Sequence, residues 1–122
     1  MIIQSYKDLI VWQKSIVLVK IVYKITDNFD RSDLYGLTSQ TRRSAVSIPS
    51  NIAEGSRRRS LAEYIRFLSI ANGSAAELET QLIIAREIYS NVNFNEAFCL
   101  LEEVLKMLNT MIGKLVNRNT IT

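Results

Sequence analysis

Apolar residues recur at three- and four-residue intervals in four separate stretches of this chain, a spacing that gathers them on one side of an α-helix. The third stretch is the most regular, with Leu61, Ile65, Leu68, Ala71, Ala75, Leu78, Leu82, Ala85 and Tyr89 on one stripe. Ser60-Leu61-Ala62-Glu63 stands before it as a capping box, in which the serine oxygen accepts from the backbone and the glutamate reaches back to the serine N–H. Alternating Ala and Leu permit a neighbouring helix to approach closely. Gly73 in mid-helix costs roughly 1 kcal/mol relative to Ala, which a backbone packed tightly against it would offset.

The first stretch runs from Leu9 to about Asn28, with Leu9, Trp12, Ile16, Val19 and Tyr23 at helical spacing. Its β-branched density also suits a buried strand, and its length favours the helix. Val11, Val17, Leu18, Ile21, Val22 and Ile25 widen the apolar arc beyond that stripe. One core is not expected to cover it all, so Val11, Val17, Leu18 and Ile25 are the candidate contacts between copies of the chain.

The second stretch carries Leu34, Leu37, Thr41, Ala45, Ile48 and Ile52, with Gln40, Arg43, Ser47 and Glu54 roughly opposite. Asp33 or Ser32 is its expected N-cap. Pro49 has no N–H for the carbonyl of Ala45, so a kink is expected near residues 45 to 49, with Ser44 and Ser47 able to bond the freed carbonyls. Gly55 reads as the residue just past the helix end. In the fourth stretch Asn93-Phe94-Asn95-Glu96 repeats the capping logic ahead of Ala97, Phe98, Leu101, Leu105, Leu108, Ile112 and Leu115. Glu102 and Lys106 form a favourable i, i+4 pair, and the tail from Asn117 to Thr122 is expected to fray. These segments predict an all-α fold, an antiparallel up-down four-helix bundle with a proline kink in the second helix, as a single domain over residues 1–122.

The 122 residues suffice to bury about two thirds of the unfolded surface in one core. Apolar runs are broken well before the ~20 residues of a membrane span, so no membrane is expected. Met1-Ile2-Ile3-Gln4 lacks the pattern of an export signal, and the lone Cys99 agrees with a reducing cytoplasm. The net charge of +3 is uneven: residues 31–66 hold seven arginines against three acids, whereas residues 67–122 are net acidic.

Chemistry is limited by the absence of histidine, which removes the usual general base and metal ligand and counts against an enzyme. Glu54, Glu77 and Glu79 read as solvated or capping carboxylates, and Cys99 as incidental on a polar arc. The isolated glycines make no phosphate loop. No cofactor, metal or small-molecule substrate is expected. Trp12 and the tyrosines read as core residues rather than base-stacking ones. Arg57-Arg58-Arg59, between a helix end and a capping box, can reach a partner's phosphates, and Arg42 and Arg43 can join them if they face outward. A solvated loop without a partner remains the alternative for these arginines.

The run from Tyr35 to Glu54, closed by Gly55 and followed by the three arginines, together with Gly73-Ser-Ala-Ala-Glu-Leu-Glu79, resembles the proteins encoded in 23S rRNA intervening sequences. The accessory variability determinant of diversity-generating retroelements belongs to the same group. The resemblance spans roughly residues 5 to 118. It implies a four-helix bundle, a ring-shaped homopentamer, RNA as a partner, and for the retroelement relatives a reverse transcriptase. It makes Arg42, Arg43, Arg57 and Arg58 the natural basic contacts. Where the family commonly has Phe-Pro this chain has Phe29-Asp30, which unsettles the first connection. Two readings follow: a non-enzymatic accessory protein that binds RNA or DNA weakly and without sequence preference as an oligomer, or a homo-oligomeric interaction scaffold with no nucleic-acid role.

Overall fold

The β-branched first stretch is helical. In the computed structural model, which describes residues 5–121 with side chains through Arg118, four α-helices form: α1 Ile10–Thr26, α2 Ser39–Ser56, α3 Leu61–Ile88 and α4 Asn95–Ile121. No strand occurs among the described residues. Met1–Gln4, on which the export expectation depends, and Thr122 of the tail lie outside them. Helix α4 continues past Asn117 to Ile121. Each helix packs against the next in sequence, α1 also packs against α4, and the α2–α3 contact is the most extensive.

The core is the third stripe with its complements. Leu68, Ala71, Ala75, Leu78, Leu82 and Ala85 are fully buried, against Leu18 and Val22 of α1, Ala45, Ile48 and Ile52 of α2, and Leu101, Val104 and Leu108 of α4. The backbone N–H of Glu63 donates to Ser60 Oγ at 3.1 Å, so half of the capping box forms. The Glu63 carboxylate turns instead to Arg66, whose Nε donates to it at 2.8 Å, and this bond with the arginine charge holds the Glu63 carboxyl below its ordinary range. Asn93 Oδ1 accepts from the N–H of Asn95 at 2.9 Å and starts α4.

The phase of α1 differs from the expected one. Val11, Leu18 and Ile25, assigned above to an interface between copies, are buried in the chain's own core at 3%, 0% and 7% exposure, and only Val17 lies at the surface. The inward stripe is Val11, Ser15, Leu18, Val22 and Ile25. Its one polar member disguises it: Ser15 is fully buried because its hydroxyl donates to the carbonyl of Trp12 at 2.7 Å, which removes the penalty for burying it.

The connection before α2 also departs from expectation. Arg31–Asp33 forms a 3-10 turn and Leu34–Thr38 a π turn, broken by Gly36 at φ −117°, ψ −108°, so the α-helix proper begins at Ser39. Neither Ser32 nor Asp33 caps it. Asp33 accepts the phenol proton of Tyr89 instead, while the Tyr89 oxygen accepts from the N–H of Asp30 at 2.8 Å. The Tyr89 ring lies 4.4 Å from that of Phe29 at an interplanar angle of 4°, so the α1–α2 connection is fastened to the end of α3. The bond to Asp33, assisted by burial, raises the Tyr89 phenol above its ordinary value. A group whose folded pKa is raised contributes fully below its unfolded pKa, and its contribution is lost as pH rises through the folded value. Wild-type urea midpoints should therefore carry an additional decline above pH ~10 that Tyr89→Phe lacks; parallel profiles for the two proteins would remove the linkage.

Candidate nucleic-acid interface

The three consecutive arginines occupy the turn between α2 and α3, and all are exposed. This turn is held by two features that hydrophobic periodicity does not reveal. Gly55 is buried inside α2 rather than just past it, and a Cβ built there lies 2.7 Å from Phe67 Cβ. Phe67, only 7% exposed and missed in the sequence stripe, receives the guanidinium of Arg58 at 4.8 Å from its ring centroid and that of Arg66 at 4.6 Å. Arg58 also donates to Glu54 at 2.6 Å. Arg58 is thus positioned by its own subunit, while no ion pair or ring contact engages the side chain of Arg57 or Arg59 among the described residues.

Arg42 and Arg43 part company. Arg42 faces α1: its Nε donates to Thr26 Oγ1 at 2.8 Å, its Nη2 to Asp27 Oδ1 at 3.0 Å, and its guanidinium lies 4.5 Å from the Tyr23 ring centroid. Thr26 is itself buried and passes its hydroxyl proton to the carbonyl of Val22 at 2.8 Å. Arg42 is therefore first a clasp between α1 and α2, not a free basic contact. Arg43, the next residue, is exposed and has no such partner among the described residues. It borders an open groove of about 610 Å³ with Tyr23, Leu34, Tyr35, Ser39, Arg42 and Ser47. Tyr35 is 93% exposed, so the expectation that the tyrosines are core residues fails there.

The remaining candidates behave differently. Ser47 does not repair a carbonyl freed by Pro49; its hydroxyl meets Ser74 Oγ of α3 at 2.8 Å and accepts from Asn51 Nδ2 at 2.9 Å. Helix α2 runs through Pro49 without interruption. Cys99 is free and exposed. No group of His, Cys, Asp or Glu among the described residues could hold a metal ion, and no described helix is long and apolar enough to cross a membrane.

The fold and the basic turn together define a small all-helical protein whose notable surface chemistry is guanidinium. The family model of the 23S rRNA-intervening sequence protein matches residues 7–110, which take in α1 to α3 whole and α4 as far as Thr110, and the chain belongs to that family. No curated protein matches it.

Proposed function

We propose that this chain is a non-enzymatic accessory protein that holds RNA weakly and without sequence preference through phosphate contacts, and that it does so as an oligomer. The observation that carries this reading is the α2–α3 turn, where Arg57 and Arg59 project without ion pairs among the described residues beside a positioned Arg58. Three to five phosphate contacts give modest, salt-sensitive binding, and repetition of the turn in an assembly multiplies it by avidity. An antiparallel up-down order is part of this reading. It is supported by the ion pair of Lys14 with Glu103 at 3.0 Å, by the groove joining Leu9–Val11 to Lys106–Met111, and by that joining Ile21–Asn28 to Asn91–Glu96. A bend at Pro49, where an intrahelical bond is lost, belongs to it too.

Self-association is supported by exposed apolar residues other than those first assigned to it: Val17 on α1, and Ile83, Ile84 and Ile88 near the end of α3, at 41%, 45% and 59% exposure. The same residues favour the second reading, a scaffold with no nucleic-acid role. A ring of five and a reverse transcriptase as a further partner come from family resemblance, and a cytoplasmic setting from the lone Cys99.

The triple variant Arg57→Ala, Arg58→Ala, Arg59→Ala should lose RNA affinity and flatten the dependence of log affinity on log salt by up to ~0.9 per phosphate contact removed. Filter binding at two salt concentrations measures this, with circular dichroism and light scattering confirming helicity and assembly. Unchanged affinity removes the arginine turn from the mechanism and leaves the scaffold ahead. A monomer at micromolar concentration ends the oligomeric part of both readings.

A further inference from the structure

We infer that the groove beside Tyr35 is a separate subsite that stacks one unpaired base of single-stranded RNA and holds its adjoining phosphate with Arg43. This inference rests on the RNA-binding reading above and extends it from phosphate contact to a preference for single strands. Three features at one place carry it. Tyr35 presents an almost fully uncovered ring, at 93% exposure, although a large apolar side chain loses free energy when left in water. Its position is fixed by the backbone: the departure at Gly36 interrupts the helical path immediately after Tyr35, while the flanking turns are tied to α3 through Asp30, Asp33 and Tyr89.

The groove next to that ring has the chemistry of a nucleotide rather than of an apolar peptide. Arg43 lines it with no intramolecular ion pair among the described residues, and Ser39 borders it with a hydroxyl suited to a sugar or phosphate. Arg42 already lies against the Tyr23 ring, which leaves Tyr35 as the exposed aromatic surface. Aromatic faces with adjacent guanidinium are how proteins hold unpaired bases, and stacking tolerates any base because every base has a π-face. A base inside a duplex cannot reach Tyr35 without leaving its stack. The subsite is also distinct from the basic turn: Arg57, the residue that closes α2, follows Arg43 by fourteen residues, or about 21 Å along the helix axis. The two sites therefore contact different parts of one strand.

The test compares full-length wild type, Tyr35→Ala, Tyr35→Phe and the triple arginine variant, using fluorescein-labelled oligouridylate and a perfectly paired RNA hairpin of equal charge. Wild type should favour the single strand. Tyr35→Ala should weaken oligouridylate binding by roughly tenfold and leave the hairpin unchanged, and Tyr35→Phe, which keeps the ring, should bind as wild type does. The triple arginine variant should lose affinity for both RNAs. If Tyr35→Ala binds both RNAs as wild type does while the triple variant loses both, the stacking subsite is overturned and the phosphate reading stands. If wild type binds neither RNA, both fall. If light scattering shows that Tyr35→Ala changes the assembly while its affinity per subunit for oligouridylate is unchanged, the groove is a contact between copies and the inference is overturned.

Discussion

Gly55→Ala should lower the stability of the protein by about 2 kcal/mol, while Gly73→Ala should raise it by about 1 kcal/mol. Both glycines lie inside helices, so by intrinsic propensity both substitutions gain the same amount. The surroundings decide the sign. At Gly55 the new Cβ falls 2.7 Å from Phe67 Cβ and 3.2 Å from Tyr64 Cδ1. Phe67 Cβ is bonded directly to its backbone, so no rotamer change relieves the clash, and α2 and α3 must separate along their contact. That separation loosens packing on both helices and displaces Phe67, on which Arg58 and Arg66 rest. At Gly73 a Cβ meets nothing within 4 Å, and the residue is exposed. Urea unfolding followed by circular dichroism separates the outcomes, and a Gly55→Ala protein as stable as wild type would sink the close-approach account.

Arg42→Ala and Arg43→Ala should have opposite profiles. Arg42→Ala removes the charge-assisted bond to Thr26, the ion pair to Asp27 and the cation–π contact with Tyr23. Bonds from a charged donor are worth ~1.5–3 kcal/mol when shielded, but the Asp27 side chain is 77% exposed, so its share is small. A loss of ~1–2 kcal/mol remains, mostly from Thr26, whose oxygen is left in a buried site with one partner fewer. Arg42→Lys should not restore it, because an ammonium cannot reproduce the planar fork that bonds Thr26 and Asp27 together. Arg43→Ala should leave thermal unfolding within ~0.5 kcal/mol of wild type and act only on ligand binding. Thermal melts of the three variants provide the check. An Arg42→Ala protein melting with wild type would return Arg42 to the set of free basic contacts.

What depends on neighbours within one turn or two of the chain was legible from the residues alone. The stripe from Leu68 to Ala85 is buried as its spacing requires, the serine of the Ser60 box caps α3, and four helices form where four apolar periodicities lie. Those signals are local because an α-helix repeats every ~3.6 residues whatever lies beside it. Which face of each helix meets which neighbour follows instead from packing between helices. In α1 the wide apolar arc offered two phases, and Ser15, satisfied by its own helix, belongs to the buried one. Arg42 and Arg43 look alike in the chain, but adjacent residues point ~100° apart on a helix, so one clasps α1 and the other borders a groove. The close approach expected at Gly73 is found at Gly55 for the same reason: what a glycine permits is set by atoms of another helix, at separations in sequence that no periodicity encodes.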